Sequence, residues 1–589
     1  MRSSFLAFLL RKKPAPAGNV ADNTRVRTKP TSVVIRQFWL LTFSIFLSTV
    51  WLLPNHYLPW STFHMDAWAA LLLCGMSLAV ILRSPSVASW NSMTLMALTL
   101  ACLPATQFVS GSITFAGIAW INSSYLLGFL LALHIGNRWE SATPRQLADA
   151  LFLAIGIASI ASVGLQLYQW FRLDGIDIWS MGQGQGRPYA NFGQPNQLAT
   201  FLLWGLVATC WAAKRAYIGP GTAIFVAAYL LLGLAMSASR TAWLALGFFT
   251  VMSWVWRRHC SAKYMPWLVM GLGIYFVACT ALLGELGELV KLPAVDPFDP
   301  SRMVAGARAQ IWSMLLEAAL ERPFWGYGWG QVVEAQLLNG LNYPSLYSVY
   351  AQSHNLFLDL ALWNGIPVAL GIFIIVAHWL YKKVSAINSA ESVLLLLFVL
   401  VPLNHAMLEL PLHHAYVLLP VGLVMGAMDS AENSQSIFKA RRGILLAILL
   451  LAFVMLVTII RDYSRIERSY LQLRFNQVNP AAFAPPDVPD VVMLSQWREF
   501  MRLINFEPQP NISDQQIEWM RKLTLLYPSA GFSQKLATGL AFQGKKSEAQ
   551  VWLKRACNVN TASQCEALQN AWSRQSKQNQ WVAQVPWPE

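Results

Sequence analysis

The chain has 589 residues, of which 55% are hydrophobic and 12% charged, with 26 Trp and a mean hydropathy of +0.42. A soluble protein of this length carries about twice that charged fraction, so a water-soluble globular fold is excluded. The formal net charge of +14 would suit a nucleic-acid binder, but the basic residues collect in particular loops between long apolar runs, so a lipid bilayer is the expected partner and nucleic acid is not.

The chain opens on "MRSSFLAFLL", followed at once by the basic, Pro-bearing "RKKPAPAGNVADNTRVRTKP". That order predicts a cytoplasmic tail over 1–36 and no cleavable signal. Apolar runs then recur at about the 17 to 25 residues needed to cross the hydrocarbon core. They predict spans at 37–53, 67–82, 90–109, 113–135, 148–171, 196–213, 217–236, 241–256, 265–284, 356–380, 392–408, 414–428 and 443–460. The fold class is therefore an all-α polytopic membrane protein of about 12–13 transmembrane helices, with residues 37–460 forming a membrane domain.

With the N-terminus inside, alternation assigns 21 Lys/Arg to inner segments and seven to outer loops: Arg172, Arg187, Arg240, Lys291, Arg302, Arg308 and Arg322. This asymmetry supports that orientation. Two outer loops are large. The first, 172–195, is rich in Gly and turn formers. The second, 285–355, contains a predicted amphipathic helix with Ile311, Leu315, Leu316 and Leu320 on one side, stopped at Pro323, and then the aromatic turn "WGYGWG".

Residues 461–589 are expected outside the membrane as a mostly helical periplasmic domain. Pro-rich "NPAAFAPPDVPD" reads as its linker, and "SAGFSQKLATGLAFQGKKSEAQVWLKRAC" as a helix-turn-helix unit. Cys557 and Cys565 stand in this polar region. In an oxidising compartment their spacing allows a disulfide; two free thiols in a helix pair are the alternative. The other five cysteines lie in or beside spans and read as small apolar residues.

Few groups on the outer side can carry chemistry. Arg240, in "SASRTAW", reads as an interfacial anchor or as an anion ligand, and Arg308, four residues before Trp312, as a solvated helix charge or as a second anion ligand. Taken together, Arg187, Arg240, Arg302 and Arg308 are able to face one outer opening, where planar guanidinium forks suit a pyrophosphate just outside the hydrocarbon. No cluster of carboxylates on that side suggests Mg²⁺. His354, in "SHNLFLDLALWNGIP", is a candidate general base near neutral pH, or a group capping a helix start. His405 and Glu409 share a helix face at i, i+4 but have no third ligand at fixed spacing, so neither zinc nor any other metal or cofactor is expected. Gln194, before Pro195, suits sugar or phosphate oxygens or a loop cap, and Tyr416 suits the aromatic belt at the membrane surface.

"GQPNQLA", "SASRTAW", "GARAQIW…ERPFWGYGWG", "SHNLFLDLALWNGIP" and "ELPLHHAY" run in this order over roughly residues 190 to 420. In order and spacing they resemble the motifs of the O-antigen ligase and polymerase superfamily, in particular its bacterial protein O-oligosaccharyltransferase branch, the PglL-like enzymes. The resemblance implies a glycosyltransferase C-like membrane fold in the bacterial inner membrane. It also implies transfer of a preassembled glycan from undecaprenyl pyrophosphate to a hydroxyl acceptor at the periplasmic face, without a metal. On that resemblance Arg240 and Arg308 serve the donor pyrophosphate, and His354 is the essential residue near the acceptor. Gln194 and Tyr416 contact the donor, and Arg187 and Asn355 are further candidate contacts to donor or acceptor. A single displacement at the anomeric carbon would invert it. A lipid A-core ligase and a glycan polymerase share this core, and a transporter is the reading from another class. The domain after the last span favours a protein acceptor such as a pilin over these.

Overall fold

The computed structural model describes residues 30–84, 87–180, 187–258, 265–289, 291–292, 305–430 and 437–588. Most of the predicted N-terminal tail, and Arg302 with much of the 285–304 segment, lie outside the described residues.

Every predicted span coincides with helix. The membrane domain begins with α1 (Pro30–Ser48), α2 (Phe63–Arg83), α3 (Ser92–Val109), α4 (Ala116–Ala142), α5 (Gln146–Trp170), α6 (Pro195–Lys214), α7 (Pro220–Met236), α8 (Arg240–Val255) and α9 (Met265–Leu289). The large loop then folds into α10 (Ala305–Glu321) and α11 (Val332–Asn339). After it come α12 (Leu356–Asn364), α13 (Ile366–Ser385), α14 (Ala390–Ala406) and α15 (Ala415–Ser430). Among the described residues seven helices are long and apolar enough to cross a bilayer, and four more are apolar but shorter. Among the described residues the all-α reading holds apart from one two-stranded antiparallel ribbon, β1 (Val87–Trp90) with β2 (Phe438–Arg441).

Two details depart from the predicted spans. The run 356–380 is not one helix: Gly365, at φ +84°, breaks it into α12 and α13. At nine residues α12 is only about 13 Å long and cannot cross the membrane. The last span does not end at 460 either. It continues as α16 (Arg442–Val478) for 37 residues, about 55 Å, well past the hydrocarbon.

Loops that alternation assigns to the same side meet in space. At one end of the bundle β1 pairs with β2 and Arg442 donates to the Ser84 carbonyl. There the Asp429 carboxylate accepts from Asn91 (2.6 Å) and Trp379 (2.8 Å) and pairs with Lys383 at 2.8 Å. The opposite end gathers residues 62–66, 187–197, 308–312, 352–355 and 405–416.

The helix that leads to this second end is held by close backbone approach. α4 and α15 cross with Gly136 against Leu423 and Gly426 against Leu133. A Cβ at either glycine would lie 2.0 Å from the facing carbonyl oxygen. In a bilayer, where helices gain little from the hydrophobic effect, such small-residue crossings carry much of the packing.

Beyond α16 the chain forms α17 (Ser495–Asn505), α18 (Asp514–Leu526), α19 (Ala530–Phe542), α20 (Lys546–Val559), α21 (Ala562–Gln578) and the short α22 (Gln580–Ala583). Leu523, Leu536, Leu540 and Leu553, all fully buried, centre a core of their own. The segment before α17 is tied down: one oxygen of Asp462 accepts from the N–H groups of Val492, Met493 and Leu494 at 2.6–3.1 Å. Asn558 then docks this unit on the large loop, donating to the Gly340 carbonyl (3.1 Å) and accepting from the Tyr347 N–H (3.2 Å). Cys557 and Cys565 are joined in a disulfide.

Replacing Gly426 with Val should cost about 1–3 kcal/mol of stability through overpacking. Gly271→Val, at a glycine with open space around it, should leave thermal unfolding in detergent unchanged. Equal melting of the two variants would remove the crossing from its structural role.

Candidate functional site

The second end of the bundle is organised by its break. Gly326 (φ +64°) and Gly365 (φ +84°) interlock so closely that a Cβ on either would sit within 2.4 Å of a backbone carbonyl oxygen. The Tyr327 N–H donates to the Leu362 carbonyl (2.6 Å) and the Ile366 N–H to the Pro323 carbonyl (2.7 Å). The aromatic turn is thereby clamped to the gap between α12 and α13, and the loop ahead of α12 is fixed.

His354 is the last residue of that loop before the helix cap. Its backbone is left-handed (φ +60°), an uncommon state for a residue with a side chain. Ser353 holds it from both directions. The Ser353 N–H donates to Asp359 at 2.7 Å, and its carbonyl accepts from the Trp312 indole at 2.8 Å. The helix cap itself is Asn355, whose side-chain oxygen accepts from the Leu358 N–H (3.2 Å) while its amide reaches the Met407 carbonyl (3.5 Å). Capping thus falls to Asn355, which leaves His354 available for other work. The Tyr350 ring stands edge-on to the imidazole, whose buried Nδ1 has no hydrogen-bond partner.

Glu409 is the hub that the sequence reading did not single out for this role. Its carboxylate accepts from the Asn196 amide, lies 3.3 Å from His405 Nε2 and pairs with Arg308 at 3.8 Å. Burial pushes its carboxyl up, but the hydrogen bonds of His405 and Asn196 and the His354 charge outweigh that and hold it below the usual range. His354 is depressed below 6.5, first by burial; Glu409 pulls it up and Arg308 pushes it down. His354, Arg308 and Glu409 therefore share one electrostatic environment.

The expected residues fall into place unevenly. Arg308 is on α10, half exposed, one turn before the Trp312 that holds Ser353. Arg187 donates to the Ser237 carbonyl (2.9 Å) and to Asn196 (3.4 Å), so it joins the hub through Asn196. Arg240 is exposed in the first turn of α8, three residues beyond Ser237. Gln194 is exposed at the start of α6 and makes no side-chain cap. The polar groups of "GQPNQLA" that bond to the 405–416 segment are Asn196 and Gln197.

Tyr416 is a correction. It is 1% exposed, not a surface aromatic: its hydroxyl donates to Gln197 (3.1 Å) and its ring stacks on His414. His414 also bonds Gln197 (2.7 Å) and Thr62 (3.2 Å). Burial drives His413 down to about 4, and its Nδ1 is held by Gln352. His405 spends its other nitrogen on Thr200 (2.6 Å). Among the described residues no three His, Cys, Asp or Glu side chains are grouped to hold a metal ion. The amphipathic face expected on α10 is a second correction: Ile311 and Leu315 are buried, whereas Leu316 and Leu320 face outward.

Three stretches match known family patterns. Residues 188–211 match protein glycosylation ligase, 225–373 match O-antigen ligase, and 393–575 match the C-terminal part of virulence factor membrane-bound polymerase. The chain is 29% identical over 514 residues to a general O-oligosaccharyltransferase of Acinetobacter baylyi, covering 84% of this chain and 87% of that protein. It is also 29% identical over 344 residues to a ComP-specific O-oligosaccharyltransferase of the same organism, covering 56% of this chain and 61% of that protein. The likeness read from the motifs is borne out.

Site-resolved labelling by diethyl pyrocarbonate, which attacks neutral imidazole, should give His354 a titration midpoint below 6.5. Glu409→Gln should move that midpoint lower still, because the upward pull is removed. A midpoint that rises in this variant would contradict the coupling.

Proposed function

We propose that this protein is an O-linked oligosaccharyltransferase that moves a preassembled glycan en bloc from undecaprenyl pyrophosphate to Ser or Thr hydroxyls of periplasmic proteins, pilins among them. The observation that carries this reading is the convergence of Arg308 and His354, from separate motifs, on one mostly buried carboxylate at one end of a membrane bundle. The match of residues 188–211 to protein glycosylation ligase, with the likeness to the Acinetobacter O-oligosaccharyltransferases, supports the protein acceptor over lipid A-core or a second lipid-linked glycan.

The chemistry follows from the residues. Pyrophosphate leaves without protonation if its growing charge is met, and guanidinium groups meet it in a fork whose charge does not titrate. Arg308 is half exposed, and its contact to Glu409 at 3.8 Å is long enough to leave donors for a phosphate oxygen. Arg240, at an exposed helix start, is the second ligand, with Arg187 behind it. These arginines supply the positive charge, so the reaction runs without a metal.

His354 takes the acceptor proton. Its depressed basicity keeps it neutral near pH 7, and its pinned loop fixes where the imidazole points. The hydroxyl oxygen attacks the anomeric carbon as the bond to pyrophosphate breaks, in line and with inversion. Asn355 and the Tyr416–Gln197 pair shape the surrounding walls. The site faces the periplasm of a bacterial inner membrane, with the C-terminal helical unit on the same side, where its disulfide persists and its surface receives the acceptor.

In a purified donor–acceptor assay read by intact mass, His354→Asn should fall by about 10² to 10⁴ in rate, as should His354→Ala. Arg308→Lys should lose most activity although charge is kept, because an ammonium cannot form the fork. Near-normal transfer by His354→Asn would reduce His354 to a structural residue.

Sidedness has its own check. In a variant lacking the native cysteines, a single cysteine at Gln509 should react with an impermeant thiol reagent once the outer membrane is permeabilised, and one at Ser430 should not. Labelling at Ser430 would invert the topology.

A further inference from the structure

α10 has two apolar faces, and the fold uses one of them. Ile311, Met314, Leu315, Ala318 and Ala319 are at most 2% exposed, packed on Trp329, Leu362 and their neighbours. On the other side Leu316 and Leu320 are 52% and 61% exposed, one turn apart, and just past the helix end the chain exposes Phe324 (69%) and Trp325 (82%). Four large, exposed apolar side chains within ten residues are costly to leave in water.

The row runs onto a surface that belongs to lipid. The Pro323 carbonyl accepts from the Ile366 N–H, and the Phe324 backbone packs against Gly365, so Phe324 and Trp325 sit at the start of α13. One to two turns further along, α13 exposes Leu370 (44%), Phe373 (53%) and Ile374 (64%). It is long and apolar enough to span, and protein buries only 17% of its apolar stretch. The other exposed side of α10 is acidic and faces the loop: Glu317 bonds the Tyr343 hydroxyl, and Glu321 accepts from Tyr327 at 3.2 Å.

We propose that α10 lies in the headgroup layer of the bilayer, with Leu316, Leu320, Phe324 and Trp325 dipping into the acyl boundary. An exposed apolar side opposite the protein-packed one suits a helix lying in the interface plane, the two glutamates being taken up by tyrosine hydroxyls of the loop, and Trp just past its end suits the interfacial belt. Continuity with the spanning helix α13 selects lipid over a protein partner as the occupant. The consequence, which rests on the donor reading above, is positional. Arg308 is eight residues before Leu316 on the same helix, about 12 Å along its axis. An immersed α10 therefore holds Arg308 at a fixed height, that of lipid-borne phosphates. The membrane becomes part of the registration of the site.

The test needs no glycan transfer, so it succeeds or fails independently of the proposed reaction. Leu320→Cys and Trp325→Cys are spin-labelled in nanodiscs, in a protein whose free cysteines are replaced and whose disulfide is kept. Ile374→Cys serves as lipid reference and Lys546→Cys as water reference. Power saturation should give both α10 labels more collisions with oxygen than with a neutral nickel chelate, at a shallower depth than position 374. Leu316→Cys and Phe324→Cys provide a second pair if either first variant loses the reference signature at 374. Dominant nickel collisions along the row would place this face in water and overturn the proposal. So would a row that both probes reach freely until a purified acceptor protein shields it, which would make it an acceptor-docking surface.

Discussion

A carboxylate mostly buried at the end of a membrane bundle has to be compensated, and Glu409 is compensated by its i−4 neighbour His405 and by groups from distant parts of the chain. A buried charge without partners costs several kcal/mol, so the segments bearing its partners are drawn to it. Asn196 comes from the start of α6, His405 from the end of α14 and Arg308 from the large loop. Through Asn196 the network reaches Arg187, and through Arg187 the backbone ahead of Arg240. One acid thus brings four of the five motifs together. The fifth, with His354, enters through the Trp312–Ser353 bond and the shared field.

Rigid framing of His354 has a matching cause. Its left-handed backbone is held by bonds on both sides of Ser353 and by the interlocked glycines behind α12. Strained conformations persist where the surroundings over-determine them. Here the surroundings are short range and backbone-rich, which keeps the imidazole in place, whereas Arg308 is half exposed and held by a long contact to Glu409.

Much of the fold was legible in the sequence because hydropathy over some twenty residues reports burial in lipid directly. The failures are where that signal is blind. A nine-residue α12 followed by α13 has the same composition as one span, and only the geometry at Gly365 separates them. On α10, Ile311 and Leu315 face protein whereas Leu316 and Leu320 face outward, yet all four are apolar at helical spacing. Periodicity registers an apolar face and is silent about which partner covers it. Of the residues gathered at this end, those were legible whose type is rare in its setting, as with His354 and Arg308. That did not hold for Glu409, which the sequence offered only as the i+4 partner of His405, nor for Asn196 and Gln197, whose neighbour Gln194 looked as suitable. Those roles exist only in contacts between segments 200 residues apart.

Two ion pairs at opposite ends of the bundle show how burial separates structure from function. Lys383 and Asp429 are 2.8 Å apart, with side chains 4% and 6% exposed, and Asp429 also accepts from Asn91 and Trp379. Removing either partner strands a charge in a dry site, so this pair acts as a lock. Arg308 and Glu409 are 3.8 Å apart, and the arginine is 47% exposed. A half-exposed pair at that distance is held weakly, and water can solvate whichever partner is released. When an anionic group draws Arg308 away, Glu409 keeps His405 and Asn196, so no buried charge is abandoned. The geometry therefore lets Arg308 exchange one anion for another at little cost, which the proposed role as a pyrophosphate ligand requires.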